Sequence, residues 1–262
     1  MQIYRALIVF CSCAVLCHAQ ATKTDQALLN EARGKYDAAF NTNLLSFHCD
    51  VDFSWKEHFT EAPRAGDEGT DEQIEKIIQP LQNRVIVTRQ MAALSAGLSK
   101  DELNKLPHRG MAVGLLAHAV EKSLTAWLAA SMLALLPTPD MPVSFEQSPS
   151  GYKLTFKIET LDTEMVLGPD MRLQSASVKR PHSDHFERSF ETSFESGPQG
   201  FLLTSFTTDE DGKFEPGNRI IITYTYQTVD GVQLPEHVVL TRESHHEVWR
   251  YKLSDCIVKT SK

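Results

Sequence analysis

Basic residues are in the minority. The 262-residue chain has 26 Lys and Arg against 34 Asp and Glu, a formal net charge of −8. A nucleic-acid binder needs a basic footprint to neutralise phosphates, so this balance argues against that class, and it gives no general pull toward anionic membranes. Cysteine is scarce, five in all, and three of these (Cys11, Cys13, Cys17) fall in the first segment. No uninterrupted apolar run reaches the roughly 20 residues of a membrane span. Motifs of cofactor and hydrolytic chemistry are missing too. Without G-x-G-x-x-G or G-x-x-x-x-G-K-[ST], nucleotide binding has no support, and without G-x-S-x-G or H-E-x-x-H neither a nucleophile elbow nor a zinc helix is present. No cofactor and no enzymatic activity are expected. What remains is an ordinary globular composition, 42% hydrophobic and 23% charged, which excludes collagen-like, disordered and coiled-coil classes.

The first segment, MQIYRALIVFCSCAVLCHAQA, sets one charge (Arg5) before an apolar run from Ala6 to Leu16, followed by small residues at Ala19 and Ala21. That is a secretory signal layout, so cleavage is expected near Ala19 or Ala21 and the protein is expected in the periplasm or secreted. The run is about half the length of a span, which disfavours a membrane anchor. Removal of residues 1–21 leaves 25 basic and 34 acidic residues and two cysteines, Cys49 and Cys256. An exported chain with two cysteines suggests a disulfide. The strand patterns complicate it. Phe47, Cys49, Val51, Phe53 and Trp55 share one face, whereas Trp249, Tyr251, Leu253 and Ile257 share a face that excludes Cys256. The two sulfurs point opposite ways unless a bulge shifts the register.

Residues 24–44 place Leu28, Ala32, Tyr36 and Phe40 at helical spacing, with Thr24 or Asp25 as cap. Leu45–Trp55 alternates as a strand with His48, Asp50 and Asp52 outward. Ile74–Leu81 reads as a short helix and 99–106 as a capped helical turn, while 83–94 fits either strand or helix. Residues 108–136 are rich in Ala, Leu and Met, almost free of β-branching and ended by Pro137, Pro139 and Pro142. They predict a long helix, apolar on most of its circumference. From Met141 onward short alternating segments are separated by turn signals such as Gly168-Pro169-Asp170 and Asp230-Gly231, the pattern of an antiparallel meander. One α+β domain is expected over 22–262, helix-rich over 22–140 and a meander over 141–262. Its curved antiparallel sheet would cover an N-terminal helix and the long apolar helix.

Polar constellations are weak. His182-Ser183-Asp184-His185 cannot form a triad, because adjacent strand residues face opposite ways. Neither that cluster, nor Glu243, His245, His246 and Glu247, nor His48 with Asp50 and Asp52 carries metal-ligand spacing, and Asp209–Lys213 lacks the positions of a calcium loop. No metal is expected. The apolar constellation is more informative. Leu116, Val120, Leu124, Trp127, Leu128 and Met132 could face a concave sheet lined by Phe47, Phe53, Trp55 and Phe156. They would either fill a core or line a lipid-sized cavity, of which Phe53, Trp55 and the six helix residues would be the ligand contacts.

The order of elements, an exported chain with helix, strand, helical segments and a long meander, resembles the periplasmic lipoprotein carrier fold. That fold is an unclosed β-barrel around helices, shared with sigma-factor regulator sensors. The phrases LLSFHCDVDFSW (44–55), MVLGPDMRL (165–173), GFLLTSF (200–206) and YQTVDGVQLPEHV (226–238) are similar to an uncharacterised family of secreted bacterial proteins. The arginine with which the carriers handle their ligand has no counterpart here. The resemblance implies a non-enzymatic binding protein for a lipid, acyl chain or lipoprotein. The alternative is an envelope structural or interaction subunit with a protein partner and no small-molecule ligand.

Overall fold

The computed structural model describes residues 24–36, 44–53, 83–95, 107–131, 135–179, 186–209 and 217–261. Helix α1 spans Asp25–Arg33, and the Thr24 hydroxyl accepts from the Ala27 N–H at 3.3 Å. It ends at Gly34, well short of the expected Leu44. Tyr36 leaves the helix for a parallel bridge to Phe201, and its hydroxyl docks on the Met171 carbonyl. Tertiary bonding here overrides helical periodicity.

Twelve strands follow: β1 (Leu44–Phe53), β2 (Arg84–Thr88), β3 (Ala92–Ser95), β4 (Val143–Ser148), β5 (Gly151–Ile158), β6 (Leu161–Leu167), β7 (Leu173–Lys179), β8 (Phe186–Ser196), β9 (Phe201–Asp209), β10 (Arg219–Val229), β11 (Val232–Arg242) and β12 (Glu247–Thr260). Helix α2 (Pro107–Ser131) connects β3 to β4. The ambiguous stretch 83–94 is a hairpin: Val85 and Val87 are buried, and the Thr88 N–H donates to the Met91 carbonyl at 2.8 Å. Ile74–Leu81, 99–106 and the 182–185 cluster lie outside the described residues.

All strands join one antiparallel sheet in the order β3-β2-β1-β12-β11-β10-β9-β8-β7-β6-β5-β4. Every neighbouring pair but one is consecutive in sequence. The exception is β1 with β12. The two edge strands, β3 and β4, are consecutive as well, but α2 runs between them and the curved sheet stays open rather than closing into a barrel. Helix α2 packs along β3 and reaches β9 and β11, while α1 packs against β4. The Leu94 N–H on β3 donates to the Glu121 carboxylate of α2 at 3.5 Å, which covers part of an otherwise unpaired edge.

The long helix differs from the expected one. It is 25 residues, and its buried side chains (Leu116, Val120, Leu124, Trp127, Leu128) are opposed by exposed Gly114, His118 and Thr125. It is therefore one-sided rather than apolar all round, and no described helix is long and apolar enough to cross a membrane.

Cys49 and Cys256 are bonded, with 4.1 Å between their Cα atoms. A bulge reconciles their faces. His48 pairs with Ile257 and Asp50 with Ser254, so Cys49 alone opposes both Asp255 and Cys256. Asp255 sits at φ 46°, the left-handed conformation that inserts the extra residue. Past it the alternation of β12 reverses. Cys256 and Val258 turn to the core side held by Trp249, Tyr251 and Leu253, and Ile257, expected inside, is 59% exposed.

Candidate binding site

The concave face is built from alternate residues of the strands. Phe47, Cys49 and Val51 come from β1, Leu154 and Phe156 from β5, Ile220, Ile222 and Tyr224 from β10, and Trp249, Tyr251 and Leu253 from β12; all are buried. Helix α2 lays its apolar side on this face. Leu116, Val120 and Leu124 are fully buried, and Trp127 and Leu128 nearly so. Trp127 meets Phe47 edge-on at 5.6 Å, a favoured aromatic geometry. Phe53 is half-buried and packs against Trp249 at 5.4 Å. Trp55 and Met132 lie outside the described residues. The five helix residues named as ligand contacts thus share one buried side, and they meet sheet side chains rather than open space. Two small voids lie beside them among the described residues. One beside Trp127, Ser131 and Phe194 holds ≈ 10 Å³, as does one beside His118, Lys122 and Trp249. Each is about one water in size.

Polar atoms under α2 are few and placed. The Tyr224 hydroxyl donates to the Ser123 carbonyl at 2.7 Å, and the Ser123 hydroxyl donates to the Ala119 carbonyl at 2.7 Å. Burial pushes the Tyr224 phenol well above its ordinary range. The Tyr251 phenol is raised by the same desolvation, with the Ser123 hydroxyl beside it acting in the opposite direction. At the other end of the sheet the Tyr36 hydroxyl donates to the Met171 carbonyl at 3.0 Å and accepts from the Leu173 N–H at 2.6 Å. Arg172 lies 4.6 Å over the Phe201 ring and donates to the Phe194 carbonyl. These groups fasten α1 to the β6–β7 turn and β8.

The polar candidates are separated from one another. Asp50 pairs with Arg84 at 2.9 Å, and Asp52 accepts from the Ser254 hydroxyl at 2.7 Å. His48 stands between Ile86 and Ile257 on the outer face. Glu243 accepts from the N–H groups of Gly217 and Arg219, and Glu247 pairs with Arg242. Among the described residues no three His, Cys, Asp or Glu side chains converge as metal ligands.

Sequence reasoning missed a second feature. A depression of ≈ 660 Å³ lies across β4–β7. It is lined by two cross-strand rows of polar side chains and by Val143, Phe156 and Thr163. Ser144, Thr155, Glu164 and Ser177 are register partners across four strands, and Lys157, Asp162 and Lys179 across three, with Pro142 beside them. Alternating Lys153, Thr155 and Lys157 marked one strand of it in the sequence. The rows exist only through cross-strand register. No protein-family model, no curated protein and no solved structure matches this chain.

Proposed function

We propose that the protein is an exported, non-enzymatic interaction protein of the cell envelope, working through the surfaces of an open sheet whose concave face is occupied by its own helix. The observation that carries this is the fit of α2. Among the described residues, Trp127 and its neighbours are buried against the sheet, and the two voids described beside them are each about one water in size. A drug-sized ligand needs a few hundred Å³, and neither of the two voids described beside α2 comes near that. Export is supported by the signal-like first segment and by the Cys49–Cys256 bond, since disulfides persist in oxidising compartments. The separate structural engagement of Asp50, Asp52, Glu243 and Glu247 supports a non-enzymatic role.

A second reading follows from the open curved sheet and its resemblance to the lipoprotein carriers. A lipid, acyl chain or lipoprotein would take the place of α2 against Phe47 and Phe156, with α2 as a displaceable plug. One experiment separates the two. The mature chain is purified from its exported form, extracted with organic solvent and analysed by mass spectrometry, alongside cross-linking in the envelope. Folded protein that yields no stoichiometric lipid but cross-links to a discrete protein partner supports the interaction reading. A stoichiometric acyl species refutes it in favour of the carrier.

A further inference from the structure

The two edges of the open sheet differ, and the difference lies outside the concave face that carries the reading above. At β3 the Leu94 N–H is taken by the Glu121 carboxylate of α2. At β4 no such cover exists among the described residues. The turn between β4 and β5 closes on the Ser148–Gly151 pair, and the register runs without a bulge to Val143–Phe156. In an antiparallel ladder alternate residues exchange both hydrogen bonds with the neighbouring strand, and the residues between them point their N–H and C=O away. Ser148, Glu146 and Ser144 therefore bond to β5, while Val143, Phe145 and Gln147 present their backbone groups to the open side. Among the described residues no backbone group outside β4 and β5 bonds to these three. Helix α1 packs near β4, but its side chains bond ahead of the strand, Arg33 to the carbonyls of Leu136 and Pro137 and Gln26 to that of Pro139. Sheet edges are commonly blunted by lysine, proline or a bulge. Strand β4 has none of these, and Glu146 is its only charge. A bare edge of this kind is a template for a further strand.

Which strand it takes follows from the residues of β4 itself. A second β4, set antiparallel about a two-fold axis through Phe145, complements the first. Phe145 then pairs with Phe145 of the second copy, and Val143 with Gln147, so every outward N–H and C=O gains a partner. Between these pairs Ser144 of each copy stands opposite Glu146 of the other, a hydroxyl that can donate against a carboxylate that accepts. Glu146 keeps Lys153 as its register partner on β5. An axis one residue further along sets Glu146 against Glu146, a destabilising like-charge pair. An axis one residue earlier sets Glu146 against Pro142 and shortens the overlap.

We infer that β4 joins β4 of a second copy of this chain in the Phe145-centred register, giving a two-fold dimer with one sheet continuous through both copies. The test is sedimentation velocity on the oxidised mature chain at concentrations up to roughly 500 µM, which reaches weak specific complexes. The parent dimerises reversibly. Ser144→Glu, which sets a like charge against Glu146 of the other copy on both sides of the axis, weakens the dimer about tenfold. Ser144→Lys, facing the same carboxylate, tightens it. Ser144 is exposed, so neither change moves the melting temperature. A Ser144→Cys/Glu146→Cys variant, whose positions face each other as a closely spaced, non-hydrogen-bonded pair, forms a covalent dimer on mild oxidation. The inference is overturned if the parent stays monomeric throughout, if Ser144→Glu and Ser144→Lys act alike, or if the double-cysteine variant gives no covalent dimer. These results do not depend on whether the chain carries a lipid, which decides the reading above.

Discussion

Reducing the Cys49–Cys256 bond tests what holds the sheet together. All other neighbouring strands are consecutive in sequence, and apart from β1 and β2, which are 30 residues apart, their pairing closes short loops. Only β1 and β12 pair across a separation of 207 residues, and the disulfide sits in that ladder. In the loop-entropy model a cross-link of this span removes about 5 kcal/mol of freedom from the unfolded chain. A domain's whole stability is about 5–15 kcal/mol, so reduction is expected to remove a large share of it. For a chain of this length that corresponds to a fall of about 10–20 °C in melting temperature. The assay is urea unfolding, followed by tryptophan fluorescence and far-UV circular dichroism, of the oxidised protein, the reduced protein and a Cys49→Ala/Cys256→Ala double variant. The expected order places both bond-free forms well below the oxidised one and within about 1 kcal/mol of each other, since Ala opens only a small gap at Cys49. If both bond-free forms lie within about 1 kcal/mol of the oxidised protein, the reasoning fails. The β1–β12 ladder and the Phe47–Trp127 contact would then hold the ends without covalent help.

Three further outcomes follow from the packing. Trp127→Ala opens a cavity under α2 and is expected to cost about 3–5 kcal/mol by chemical denaturation; a loss below about 1 kcal/mol would mean that α2 is not seated on the sheet as described. Tyr36→Phe leaves the Met171 carbonyl and the Leu173 N–H without the phenol and is expected to cost about 2–4 kcal/mol, with faster amide exchange at Leu173 as the local readout. Raised phenol pKa values at Tyr36, Tyr224 and Tyr251 mean that the folded state holds these protons more tightly than the unfolded one. Their contribution is full below the ordinary tyrosine pKa of about 10 and is lost as pH rises above it. A stability profile from pH 8 to 11 is expected to fall above about pH 10, and Tyr224→Phe to make that fall shallower.

Local pattern carried a good deal of this protein. The alternation in β1, β5, β10 and β12 is visible in the residues themselves, because side chains on a strand change face at every step and one face is buried. Turn residues such as Asp230-Gly231 marked hairpins, and the scarcity of β-branched residues marked α2. The apolar side of α2, from Leu116 to Leu128, was legible for the same reason. Where packing decides, sequence was silent. The end of α1 at Gly34 depends on Tyr36 finding Met171 and Leu173, more than 130 residues away. Whether 83–94 is strand or helix depends on β1 offering an edge for it. The cysteines looked incompatible until Asp255 took a left-handed conformation and reversed the faces of β12.

By itself the sequence determined that strands would alternate, where many of them would turn, and that one helix would present an apolar side. These follow from interactions within a few residues, where backbone geometry and solvent exposure leave little choice. Only the tertiary structure decided that β1 closes onto β12 and that α2 fills the concave face. Cross-strand register alone brings Ser144, Thr155, Glu164 and Ser177 into one row. Such contacts join segments far apart along the chain, and their selection depends on the free energy of the whole sheet rather than on any stretch within it.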